Sequence, residues 1–272
     1  MLRFKYVLVI SGCLLYNSAR AQSDTITKKN IVDTVRKDLL TAPDTVVRLH
    51  SKTAALIPPA ALVAYGAASF IFHPIRQLDH DVYGEITERN LLVTSHTENI
   101  LQFAPVILVY GLNLAGDHGK NTFIDRTMTY VLAQGMMNLA LFTLKRTTHR
   151  LRPDGSNYYS FPSGHTANAF AGAEFMAQEY SGKSAWYGVG GYSLAVTTGV
   201  LRMYHKDHWL SDVIAGAGFG ILATKGAYLL YPIIRNNLFH GKERAAKHKA
   251  SDALLLPSYQ DGALGLQFSR TF

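Results

Sequence analysis

Cysteine is almost missing from this chain: one residue, Cys13, among 272. That excludes an intrachain disulfide, paired-cysteine zinc ligation and CxxC redox chemistry, and it argues against a thiol nucleophile. Charge is also scarce, at 17% against 48% hydrophobic residues, so a disordered or heavily solvated chain is excluded. The formal charge of +8 falls to +5 once Arg3, Lys5 and Arg20 are set aside with the N-terminal segment described next. An excess that small is not the footprint of a nucleic-acid-binding protein.

Residues 1–21 have a basic start, an apolar run from Tyr6 to Leu15, and Ala19-Arg20-Ala21 before Gln22. This is the layout of a signal peptide cleaved after Ala21. Ile10-Ser11-Gly12-Cys13 offers a second reading, a lipoprotein box with Cys13 lipidated. Both imply export to the cell envelope, and cleavage after Ala21 would leave a cysteine-free chain suited to an oxidising compartment.

Residues 22–53 are polar and charge-dense, as in a tether or surface helix. Six apolar segments follow, near Ala54–Phe72, Ile100–Gly116, Tyr130–Leu144, Ala167–Tyr180, Trp186–Tyr204 and Val213–Tyr231. Their lengths predict helices, and their Ala and Gly content predicts close packing. The expected fold is all-α, a membrane-associated bundle of about six core helices spanning residues 54–235. Residues 236–272 form a basic tail in which Leu254–Phe272 reads as a small β-hairpin turning at Asp261-Gly262. Polar interruptions such as Gln102, Asn138, Glu174 and Lys225 keep a soluble periplasmic bundle open as the alternative. Six crossings after a cleaved leader would put the loops after segments three and five inside.

Three stretches hold nearly all the residues with chemical potential, and in an antiparallel bundle they share one end. In the first, Lys145 and Arg152 stand seven apart, two helical turns, before Pro153. Alone, such a pair is more often a solvated cationic surface or an interfacial anchor. The second is Phe161-Pro162-Ser163-Gly164-His165-Thr166 ahead of a helical pattern, where the amides near Ser163 and Gly164 could receive an anion and His165 would lie beside it. The bland reading is a capping turn. In the third, Arg202 precedes His208, and Asp212 follows four residues later, where on a helix its carboxylate could hold one imidazole nitrogen. His149, His205, Lys206 and Asp207 are read as loop or supporting residues. His73, Asp79, His80 and Asp81 are read as a polar loop, with no metal site.

Taken together, Lys-x6-Arg-Pro, Pro-Ser-Gly-His and Arg-x5-His-x3-Asp resemble the three signatures of the type 2 phosphatidic acid phosphatase and vanadium haloperoxidase superfamily. The resemblance runs from Lys145 to Asp212, with Leu201 departing from the small residue usual before the arginine. It implies a phosphatase acting on phosphate or diphosphate esters, lipid phosphates foremost. His208 would be the nucleophile, Asp212 its orienting carboxylate and His165 the general acid and base. Lys145, Arg152, Arg202, Ser163 and Gly164 would bind phosphate. The resemblance implies neither a cofactor nor a metal, because the side-chain cations supply the charge. Its family substrates include phosphatidic acid, phosphatidylglycerol phosphate, undecaprenyl pyrophosphate and phosphorylated lipid A. Other readings are a broad-specificity periplasmic acid phosphatase, a vanadium haloperoxidase and a non-catalytic phospholipid-binding protein.

Overall fold

A computed structural model describes residues 53–89, 95–250, 254–260 and 263–269. The expected signal peptide, the polar segment to residue 52 and the expected turn at Asp261-Gly262 lie outside the described residues. A short 3-10 turn, Thr53–Leu56, leads into helices α1 (Ile57–Ala68), α2 (His73–Glu88), α3 (Glu98–Leu101) and α4 (Ala104–Leu114). Then come α5 (Phe123–Thr148), α6 (Gly164–Glu179), α7 (Ala185–Tyr204) and α8 (Leu210–Ala250). Two strands follow, β1 (Leu254–Gln260) and β2 (Ala263–Ser269), paired antiparallel with Gln260 opposite Ala263.

Local chemistry explains where the helices begin. Proline stands in the first turn of α1, α2 and α4, where its fixed φ suits the helix and its missing N–H removes no bond. Thr122 caps α5 by accepting from the Asp125 amide, and Ser184 caps α7 by accepting from the Trp186 amide.

Three expectations change. The stretch around Asp79 is not a loop but the helix α2, whose Ile75, Leu78, Val82 and Ile86 keep helical spacing among many charges. The second apolar segment is split, because Pro105 opens α4 separately from α3. The last continues past Tyr231 and through Pro232, so the basic residues 235–249 are helical.

Helix α6 packs against α4, α5, α7 and α8. Its Ala167, Ala169, Ala171 and Ala173 are fully buried, which lets its neighbours approach closely. Gly216 and Gly218 of α8 permit this on two sides. A Cβ at Gly216 would stand 2.5 Å from the Ser163 carbonyl, and one at Gly218 2.6 Å from that of Pro59 in α1. Val109, Phe175, Tyr180 and Tyr228 form a larger apolar cluster. Beside it, where α5 begins and α6 ends, Arg126 and Glu179 make a buried ion pair at 2.9 Å, and the Tyr228 hydroxyl donates to Glu179. At the other end of the bundle the end of α5, the start of α6, the end of α7 and the start of α8 come together.

Among the described residues, Leu210–Asn236 is the one helical stretch long and apolar enough to cross a membrane, and α1 with α2, bent by 88° at their break, is a second candidate.

Candidate active site

The loop between α5 and α6 is tied to the start of α8 by a series of hydrogen bonds. The Trp209 indole N–H donates to the Leu151 carbonyl at 2.9 Å, and the Ser163 amide donates to the Asp212 carbonyl at 3.0 Å. The Ser160 hydroxyl donates to Asp212 Oδ2 at 2.5 Å. The Ser160 carbonyl in turn accepts from His208 Nδ1–H at 2.7 Å. His208 is 3% exposed and Asp212 is fully buried, so these bonds are formed away from competing water.

This arrangement differs from the simple His-Asp pair expected from spacing. Asp212 Oδ2 lies 3.9 Å from His208 Nδ1, outside hydrogen-bond reach, and the bond to that nitrogen belongs to the Ser160 carbonyl. Asp212 acts one step removed, by fixing Ser160 and accepting from the Trp209 amide at 3.0 Å. Because a carbonyl can only accept, Nδ1 carries the proton and Nε2 keeps its lone pair. Burial first, then the charges of Lys145, Arg202 and Arg152, hold the His208 imidazole well below its ordinary value. It is therefore neutral at neutral pH.

The same three cations act on His165, which burial and then Arg202 push down to about 4. Its Nε2–H donates to Asn99 Oδ1 of α3 at 2.8 Å. Lys145, near the end of α5, donates to the Tyr159 carbonyl at 2.7 Å, and burial followed by Arg152 lowers its ammonium to about 8. Both imidazoles and all three cations thus belong to one electrostatic neighbourhood.

The two arginines meet through Asp207. Past the end of α7, Lys206 adopts a left-handed φ of 59°, and the Asp207 amide turns back to the Arg202 carbonyl at 3.1 Å. The Asp207 carboxylate then accepts from Arg152 Nη1 at 2.9 Å and from Arg202 Nη1 at 3.0 Å. The Nε atoms of both arginines remain buried without a partner. Both Nε–H groups are donors available to an acceptor at this end of the bundle.

Ser163 and Gly164 open α6 as expected, but they contribute differently. The Ser163 amide is spent on Asp212, and its hydroxyl pairs with Thr166 Oγ1 at 2.8 Å. A Cβ on Gly164 would meet no atom within 4 Å, so the backbone there borders open space.

Residues outside the expected set complete the structure. Arg150 Nη1 donates to Ser69 Oγ, Ser211 Oγ and Asp212 Oδ1, and Nη2 donates to Asp79 Oδ2 at 2.6 Å. Asp79 also accepts from the Ser211 amide and hydroxyl. Glu98 Oε1 accepts from Arg202 Nη1 at 3.2 Å and from His205 Nδ1–H at 2.9 Å.

Comparison with known proteins gives several matches. A family model described as the PAP2 superfamily matches residues 126–235. A lipid A 1-phosphatase from Porphyromonas gingivalis is 35% identical over 142 residues, covering 50% of this chain and 31% of the relative. This chain thus spans about a third of that curated relative. Two crystal structures are similar at a TM-score of 0.43. One, Aquifex aeolicus LpxE, has 19% identity over 54% of this chain and 92% of that one. The other, a transmembrane PAP2 type phosphatidylglycerolphosphate phosphatase from Bacillus subtilis, has 22% identity over 71% and 96%.

Proposed function

This chain belongs to the PAP2 superfamily, and on that premise we propose that it is a lipid phosphate phosphatase working through a phosphohistidine intermediate. The observation that carries the reading is the pair of buried, partnerless guanidinium Nε atoms of Arg152 and Arg202 beside the buried His208. Phosphoryl transfer spreads negative charge over three equatorial oxygens. With Lys145 and the backbone at Gly164, the two arginines supply fixed positive charge there before the reaction begins.

In the first half-reaction His208 Nε2 attacks phosphorus, the bond to the leaving oxygen breaks, and His165 gives that oxygen a proton. His165 is neutral in the free protein, because burial and then three cations oppose its protonation; a bound phosphate dianion offsets the cations and lets the ring take up a proton. Its Nε2 is engaged by Asn99, so Nδ1 is the atom that carries the transferable proton. In the second half-reaction His165 Nδ1 removes a proton from water, the water oxygen attacks phosphorus, and the P–N bond breaks. Inorganic phosphate leaves, and His208 is neutral again.

A lipid substrate is supported by the outer surface. On α5, Met128, Val131, Leu139 and Phe142 form an exposed stripe at helical spacing, and Trp186, Val189 and Val196 do the same on α7. Exposed apolar area of this extent marks contact with an apolar phase. A membrane-embedded bundle with the phosphate cradle at one end would keep the acyl chains in the bilayer. The names of the relatives concern lipid A and phosphatidylglycerolphosphate, and both belong in the substrate panel.

The test is phosphate release by the purified, detergent-solubilised protein from lipid phosphates and from a water-soluble aryl phosphate, with vanadate as inhibitor. The expected result is preference for the lipid substrates and competitive inhibition, since vanadate adopts the geometry of the transition state. Turnover insensitive to vanadate would overturn the mechanism, and equal use of the aryl phosphate would overturn the lipid assignment.

A further inference from the structure

Glu98 is fully buried, and its two oxygens are used very unequally. Oε1 receives His96 Nδ1 at 3.2 Å, His205 Nδ1 at 2.9 Å and Arg202 Nη1 at 3.2 Å, whereas Oε2 is buried with no partner. The two imidazole rings lie together, centroids 4.7 Å apart, although both become cationic on protonation. A crowded oxygen, an orphaned twin and two neighbouring imidazoles form a donor set wanting a cation.

We propose that His96, Glu98 and His205 form a binding site for a divalent transition-metal ion of the zinc class, separate from the atoms that attack and protonate the phosphate. Two imidazoles and one carboxylate are a borderline donor set that suits such an ion better than magnesium or calcium, which take oxygen ligands. Metal–nitrogen and metal–oxygen bonds near 2.1 Å place tetrahedral ligand atoms about 3.4 Å apart. The three donors lie within 4.8 Å of one another, and both imidazole-to-Glu98 edges are already at or below that spacing. Closing the set requires only that the exposed His96 ring draw toward His205. Each Nδ1 gives up its hydrogen by shifting the proton to Nε2, so the ligands stay neutral imidazoles. The fourth position is left to water.

The location gives the ion a consequence. Glu98 precedes Asn99, the partner of His165, and it also holds Arg202. A bound ion would pin the 96–99 segment to the end of α7 and draw the Glu98 charge away from Arg202. Binding of the ion is independent of the phosphatase reading.

The experiment is a titration of tag-free, detergent-solubilised full chain with Co²⁺, followed by its visible absorption, and competition with Zn²⁺. The expected result is one tight equivalent with a tetrahedral-type spectrum, displaced by Zn²⁺ and weakened at least about tenfold in His96→Ala. Because His96 is exposed, that variant folds normally; the His205→Ala variant should lose the spectrum altogether. No Co²⁺ spectrum in the wild type, or one unchanged in His96→Ala, would overturn the proposal. Both readouts are spectroscopic, so their failure leaves the phosphatase reading untouched and is distinguishable from it.

Discussion

At the scale of single residues, charge decides the chemistry. Lys145 is an ammonium held down to about 8 by burial and by Arg152, and the phosphate cradle needs it protonated. Its folded-state value is lowered, so its positive charge is present below pH 8 and lost as pH rises through that value. Because His165 takes up a proton on binding, kcat/KM already falls as pH rises; we therefore predict that the fall steepens by a further factor of about ten per pH unit above about 8, and that Lys145→Arg moves this added steepening beyond about pH 10. A pH–rate profile of both proteins checks this. Lys145, Arg152, His165, Arg202, His208 and Asp212 were legible because three short patterns in fixed order mark them. Arg150 was not. It stands two residues before Arg152, and nothing in the local sequence distinguishes a cation that faces the cradle from one that ties helices together. Asp79 and Ser211, its partners, are 71 and 61 positions away and meet it only in the fold.

At the scale of elements, the site depends on helix α2, which its polar composition disguised as a loop. Asp79 projects from α2 into a network with Arg150, Ser211 and Asp212, and so attaches α2 to the start of α8. Removing Arg150 would leave two buried carboxylates unpaired. Arg150→Ala should therefore cost about 3–5 kcal/mol of stability. Arg152 is partly exposed and pairs with Asp207, which keeps Arg202 as a partner, so Arg152→Ala should cost under about 1 kcal/mol while removing most activity. Thermal denaturation with parallel rate measurements separates the two arginines; equal destabilisation would contradict their different roles. The break of the second apolar segment was foreshadowed by Pro105. The length of α8 was not, since Pro232 suggests a stop; a proline inside a helix costs a hydrogen bond that surrounding packing can offset.

At the scale of the molecule, apolar side chains lie both inside and outside the bundle. The core is built from alanine, glycine and a few aromatics, and the larger aliphatic residues Leu114, Leu139, Val131 and Val196 face outward. The sequence showed the apolar segments but not which solvent they meet, because period and length are shared by core helices and membrane helices. Among the described residues, the last of the six segments alone satisfies the length and hydropathy of a span by itself, and the first does so only together with α2 across their bend. We predict that the protein stays with the membrane fraction through an alkaline carbonate wash and needs detergent for extraction; release by carbonate would contradict an embedded bundle. Cleavage by externally added protease near Arg150 would show that the site end faces outward.

The most direct measurement of the mechanism is acid-labile, base-stable phosphate trapped on the protein during turnover of a ³²P-labelled lipid phosphate. The predicted result is label on the peptide containing His208, absent from His208→Ala together with turnover. Label on another residue, or a His208→Ala protein that still turns over at the wild-type rate, would contradict it.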